Sequence, residues 1–344
     1  MEARKDESAY SNFERELARA ERPDVVEWLS TLDPGPRILC DELGGANLTD
    51  VGRRLANAEL FRTALVGYDL RTQRRVRPKE ADPEILIITG WPRTGSTFLH
   101  ELCCLDPTVA CWTLSSAMSP TATAAEGESY ARSWLKIADR LSPELRRVHP
   151  MSLAGPEECI AVLAFRFCSE RFAIQFDLPS YAKWLASESM SDSYEWYAGV
   201  IADQFAGSQR LVLKAPAHLG HLDALRSSFP AARIVILQRP IREVLRSFVE
   251  LVQAARSVYS DSIDPHQIEK EWSLRLKMAA EVPAWARAEG ERVLYVQFDD
   301  LVRAPVATLE RLYGWLNWPT EQIRKQVDPM IGSIASRHRV DRSR

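Results

Sequence analysis

Residues 85–99 run Ile85-Leu86-Ile87-Ile88-Thr89-Gly90-Trp91-Pro92-Arg93-Thr94-Gly95-Ser96-Thr97-Phe98-Leu99. The opening apolar run, flanked by Pro83 and Gly90, suits a parallel strand buried on both faces. Phe98-Leu99-His100-Glu101-Leu102 then starts a helical apolar pattern. A strand that turns through glycines into a helix start points backbone N–H groups at an anion. The spacing is that of a Walker A loop, G-x-x-x-x-G-K-[ST], with one difference. Ser96 stands where the nucleotide-gripping Lys belongs, and a cation, Arg93, comes three positions earlier.

Outward from this stretch, three more short apolar runs occur: Leu211-Val212-Leu213, Ile234-Val235-Ile236-Leu237 and Val293-Leu294-Tyr295-Val296. Helical patterns lie between them, at Pro156 to Phe167, Tyr194 to Phe205, His218 to Phe229, Arg242 to Val258 and Glu269 to Ala288. Strands alternating with helices predict an α/β protein, a central parallel sheet flanked by helices. Residues 1–80 read as a helical N-terminal extension packed on the core, carrying apolar patches at Val25, Val26, Trp28 and Leu29 and at Val51 to Leu65. A polar, proline-closed approach loop is expected from Arg71 to Pro83. The α/β domain is expected over 81–330, with a basic C-terminal tail over 331–344.

The chain has 344 residues, 46% hydrophobic and 26% charged, which excludes disordered, collagen-like and coiled-coil readings. A net charge of -3 argues against a dedicated nucleic-acid binder. Arginine outnumbers lysine 36 to 8, so the placement of individual arginines carries more information than the near-neutral total. Cys40, Cys103, Cys104, Cys111, Cys159 and Cys168 form no CxxC pair, no His stands at zinc spacing, and no metal is expected. The charged start MEARKDESAYSNFERELARAER lacks the apolar core of a signal peptide. No apolar run approaches the ~20 residues of a membrane span. A cytoplasmic setting without a transmembrane segment is the expectation.

Pro92-Arg93-Thr94-Gly95-Ser96-Thr97-Phe98 resembles the 5′-phosphosulfate loop of sulfotransferases that use 3′-phosphoadenosine 5′-phosphosulfate (PAPS). A second element fits the same family: the run ending Gln238-Arg239-Pro240 is followed by Ser247, eight residues after Arg239, as in the family's 3′-phosphate motif. A third, Leu213-Lys214-Ala215-Pro216-Ala217-His218-Leu219, resembles a segment of its broad bacterial branch. The resemblance covers roughly Asn57 to Met330, including the Asp299-Asp300-Leu301 turn. It implies a P-loop NTPase-like sulfotransferase fold, PAPS as co-substrate and adenosine 3′,5′-bisphosphate as product. It also implies that Arg93, Thr94, Gly95, Ser96, Thr97, Phe98, Arg239 and Ser247 bind the nucleotide, Phe98 by stacking on adenine.

Sulfuryl transfer needs a base for the acceptor's proton, a cation for charge growing on the leaving phosphate, and in-line positioning. Arg93 and Lys214 are the expected cations, since ligands of α/β sheets bind at the strands' carboxyl ends. His218 is the expected base, with His149 and the Glu157-Glu158 pair as alternatives. The Glu that relatives often carry after a Trp is absent from Cys111-Trp112-Thr113-Leu114-Ser115-Ser116. The accepting group is a hydroxyl or an amine, and the acceptor stays open among small molecules, glycans and lipids. The aromatic segment Phe172 to Trp196 supplies either an acceptor pocket or ordinary core. Two rival readings are a Mg²⁺-dependent P-loop kinase or NTPase, which the missing Walker Lys disfavours, and an inactive nucleotide-binding scaffold.

Overall fold

The computed structural model describes residues 8–73, 83–279, 281–288 and 290–338. Its centre is a five-stranded, all-parallel sheet in the order β2-β3-β1-β4-β5. The strands are β1 (Glu84–Gly90), β2 (Val109–Ala110), β3 (Arg210–Lys214), β4 (Arg233–Gln238) and β5 (Val293–Gln297). Four of them coincide with the apolar runs of the sequence. The edge strand β2 is two residues long, too short for any hydrophobic pattern to announce it.

Alternate residues of each strand feed opposite faces, which is why the runs are continuously apolar. Ile87, Leu211, Leu213, Ile234 and Ile236 face one core, while Leu86, Ile88, Val212, Val235 and Leu237 face another. The first core contains the N-terminal helices α1 (Ala9–Arg19), α2 (Pro23–Ser30), α3 (Gly35–Gly45) and α4 (Asp50–Thr72), through Tyr10, Leu17, Trp28, Leu39 and Ala64. The extension is thus continuous with the body of the protein. Glu42 of α3 accepts the amides of Ser180 and Tyr181 at 2.8 Å, capping the start of the Pro179–Ser187 helix. The approach loop expected from Arg71 gives way to helix as far as Thr72, and residues 74–82 lie outside the described part.

The second core is closed by α5 (Ser96–Cys103) and the C-terminal helices. The tail expected over 331–344 begins as helix: Glu321–His338 is one element, and Ile323, Val327 and Ile334 are buried beneath it. The basic residues of that stretch mask a widely spaced apolar stripe. Residues 339–344 lie outside the described part. Two helical expectations shift as well. Glu269 to Ala288 is a helix only to Ala279, with a separate turn at Ala284–Ala286 after Pro283. Pro156 to Phe167 becomes helical only from Ile160, because Pro156 and Glu157 instead pair with Thr113 and Trp112 in extended backbone.

The strand order matters for function. From β1 the chain builds β2 and β3 on one side, then crosses to β4 and β5 on the other. The crevice beside β1, at the carboxyl ends of the strands, is where such sheets bind ligands. Registers Ile88↔Lys214 and Gly90↔Leu237 bring the loop after β1, Lys214 and the segment after β4 to one edge.

Candidate active site

The turn after β1 is a conformation few residues tolerate. Gly90 has φ 142, and a Cβ there would lie 2.5 Å from the Leu237 carbonyl oxygen, so only glycine lets β1 pass β4. Gly95, at φ 87, starts α5 without a side-chain cap, and Leu99 N–H makes the bond to its carbonyl. The amides of Ser96, Thr97 and Phe98 have no intrahelical acceptor and are oriented toward the crevice end of the helix. Thr94 donates its hydroxyl to the Trp91 carbonyl at 2.6 Å, tightening the loop. Arg93 sits at φ 64, a left-handed conformation that a non-glycine residue adopts at a cost, and such outliers concentrate at functional sites.

The neighbouring motifs converge on this loop. Arg239 donates from Nη1 to the Arg93 carbonyl at 2.9 Å, and Arg93 Nε donates to Ser247 Oγ at 2.9 Å. Residues read from two separate patterns thus form one connected unit. Arg93 Nη1 also donates to the Val148 carbonyl at 3.0 Å, tying the loop to the helix Pro143–Val148. Arg239 is ion-paired to Glu243 at 3.0 Å and lies over the Phe298 ring, 4.0 Å from its centroid. Gly95 is packed so closely against Phe298 that an added Cβ would meet that ring at 3.2 Å.

Lys214, 1% exposed, spans two elements. Its Nζ donates to Thr97 Oγ1 at 3.2 Å and to the Glu158 carboxylate at 2.5 Å. The extended backbone at Pro156–Glu157 brings this pair together: Glu157 N–H bonds the Trp112 carbonyl and Cys159 N–H bonds the Lys214 carbonyl, both at 2.8 Å. Glu157 accepts the Glu158 amide at 2.8 Å, and burial raises its pKa.

A cavity of about 120 Å³ lies over the loop, lined among others by Arg93, Ser96, Thr97, His149, Glu158 and Arg239. Glu170, Phe98 and Phe298 also line it. Burial raises the pKa of Glu170, which pairs with Arg275 at 3.3 Å. A second cavity, about 140 Å³, shares His149, Glu158, Ile160, Ile174 and Leu251 with the first. Beyond that shared wall it is lined by Leu114, Met118, Trp134, Leu145, Met151 and Val258.

The expected base does not reach either cavity. His218 is 0% exposed, and its Nδ1 shares a 2.7 Å hydrogen bond with the Tyr194 hydroxyl. Burial, with Lys214 and His221 nearby, pushes its pKa down to about 3. The turn Pro216–His221 directs Pro216 and Ala217 to the cavity and the imidazole into the core. The aromatic segment also resolves as core, with Phe172, Phe176, Tyr181, Tyr194 and Trp196 all buried. Phe98 is 3% exposed in the core beneath the loop, with one edge at the cavity. Sequence reasoning missed Glu170 and Phe298. Phe298 had a signal, since it follows the carboxyl end of β5; Glu170 had none.

A protein-family model described as "Sulfotransferase family" matches residues 83–322. Among solved structures, sulfotransferase STF9 from Mycobacterium avium superposes with a TM-score of 0.71 at 21% identity, covering 88% of this chain and 82% of that one. Sulfotransferase STF1 from Mycobacterium tuberculosis H37Rv gives 0.69 at 22% identity, covering 90% and 92%. At such identities the likeness establishes the fold. No curated protein matches. The family match spans well over half of the chain, and with it the kinase and NTPase reading falls: this chain is an enzyme of the sulfotransferase family.

Proposed function

We propose that the enzyme transfers a sulfuryl group from PAPS to the hydroxyl of an apolar acceptor. The observation that carries this is the joined Arg93–Ser247–Arg239 unit beside the uncapped start of α5. It offers cations and hydroxyls to two separate anionic groups without a magnesium ligand set. In this reading Gly95, Ser96 and Thr97 hold the 5′-phosphosulfate with backbone amides and hydroxyls, while Arg239 and Ser247 hold the 3′-phosphate. Arg239 is already braced on Phe298, which offers a ring face for adenine beside the buried Phe98.

The acceptor approaches through the second cavity, whose far walls are mostly apolar, with Glu157, Arg171 and Gln175 as polar exceptions, which favours a long-chain or polycyclic alcohol or a phenol over a glycan. Glu158, on the wall between the cavities, takes the acceptor's proton in place of the buried His218. The acceptor oxygen bonds to sulfur as the bond from sulfur to the bridging oxygen breaks. The electron pair leaves with the phosphate, and the proton goes to Glu158. Lys214, between Thr97 and Glu158, and Arg93 balance the charge growing on the leaving group. Six free cysteines accord with a reducing, cytoplasmic setting.

Calorimetric titration tests the donor assignment. Adenosine 3′,5′-bisphosphate should bind without Mg²⁺ and in preference to ATP, and preference for Mg²⁺-ATP would sink the reading.

A further inference from the structure

We propose that His100, Cys104 and Cys111 form a binding site for one soft, thiophilic cation of the Zn²⁺ type, stapling the end of α5 to the edge of the sheet. Their ligand atoms, one imidazole nitrogen and two sulfurs, all lie within 4.8 Å of one another. His100 and Cys104 are four residues apart, on one face of α5 and its C-terminal cap. Cys111 comes from the other side of a turn, just past β2, which is why the linear spacing hides the group.

The scaffold sets these positions without any ion. Asp106 accepts the Thr108 amide at 2.9 Å and its hydroxyl at 2.7 Å, closing the turn between the cysteines. Arg210 of β3 donates to the Thr108 hydroxyl at 2.8 Å, and Val109 pairs with Arg210 in the sheet.

A second observation points to a ligand independently. The His100 ring is 0% exposed: one ring nitrogen faces the Val212 backbone carbonyl, and the lone pair of the other has no hydrogen-bond partner among the described residues. An imidazole held through one nitrogen by a backbone carbonyl, with the other nitrogen left unpartnered near two thiols, is the arrangement of a metal-ligating histidine. Access is also present. Cys104 and Cys111 line a groove of about 690 Å³, whereas the imidazole stands behind them in the interior. The groove gives water access to the two sulfurs, so a water supplies the fourth position of a tetrahedral ion.

The donor set decides the class of ion. Two sulfurs and an imidazole suit Zn²⁺ and other thiophilic ions, and do not suit Mg²⁺ or Ca²⁺, which take oxygen. Binding is acid–base chemistry with no change of oxidation state: Zn²⁺ replaces the two thiol protons, both released to solvent, and the neutral imidazole contributes its lone pair. The ion sits at the far end of the helix whose first turn faces the donor phosphosulfate. It is a positioning and stabilising element, outside the reacting atoms.

The test uses the full chain, reduced and stripped with a chelator, then titrated with Zn²⁺ against a chromogenic competitor. One equivalent bound, two protons released and a raised melting temperature are expected. Co²⁺ in place of Zn²⁺ should give thiolate-to-cobalt charge-transfer absorption. Cys104→Ser with Cys111→Ser should lose the equivalent and the absorption while still binding adenosine 3′,5′-bisphosphate, and Cys111→Ser alone should weaken both. Failure of the wild type to retain zinc, or equal retention by the double variant, overturns the proposal. So does formation of a Cys104–Cys111 disulfide in place of metal uptake by the reduced protein.

Discussion

The two sides of the Glu158 wall are assembled from different kinds of sequence. On the proposed donor side, every group but Ser247, which lies on the helix Ile241–Arg256 after β4, comes from a short segment at the carboxyl end of a strand: Arg93 to Thr97 after β1, Lys214 at the end of β3, Arg239 after β4. On the acceptor side, Leu114, Trp134, Met151, Ile174 and Val258 come from separate helices and loops with no shared motif. A strand end fixes the position of the next few residues, so chemistry there is local and can be read along the chain. A pocket between helices is defined by their packing, and its residues look like any other apolar positions until the packing is known.

The sharpest way to test that division is the wall itself. Glu158→Gln should lower kcat by about 10²- to 10⁴-fold, the usual contribution of a positioned base. Its affinity for adenosine 3′,5′-bisphosphate, measured by calorimetry, should stay near wild type. Unchanged turnover would return the base to the donor side or to Glu170.

Next in size is Arg239→Ala. Hydrogen bonds to charged groups contribute about 1.5–3 kcal/mol, so the bisphosphate should bind roughly 10- to 150-fold more weakly. An acceptor-side change should do the reverse. Met118→Trp, placed in the apolar cavity, should cut kcat/KM for long-chain or polycyclic alcohols by about tenfold while leaving the bisphosphate affinity alone. Equal loss with a small, polar acceptor would break the assignment of that cavity.

A separate effect, on stability and not on turnover or binding, concerns His218, which belongs to neither side. Its folded pKa of about 3 lies below the unfolded value of ~6.5, so only the unfolded chain takes up the proton between them. Stability from this residue is therefore full above pH ~6.5 and falls by up to ~1.4 kcal/mol per unit as pH drops toward 3. Melting curves across that window should be less steep in pH for His218→Gln, and an identical slope would mean that the ring titrates freely.

The same division explains what was legible beforehand. Four strands follow from continuous apolar runs, and the phosphate loop from the glycines and the cation that follow the first of them. β2 was invisible because two residues carry no period. His218 looked like a base from its place after a strand, and only the direction of the turn at Pro216 shows the ring entering the core. Glu158 was one of several carboxylates until extended backbone at Pro156 set it on Lys214. The C-terminal helix was hidden by its charges, since its buried residues Ile323, Val327 and Ile334 are sparse.

The hydrogen bond from Arg239 to the Arg93 carbonyl joins residues 146 positions apart. In an unfolded chain these groups are strangers, so a ligand that needs both has nothing to hold. The nucleotide proposed above would then be a selective partner of the native state, and its concentration a term in the protein's stability. At a hundred times its dissociation constant, mass action alone adds about 2.7 kcal/mol. With the proposed donor, the cellular level of the sulfonucleotide pool would set how much of the enzyme is folded, as well as how fast it works.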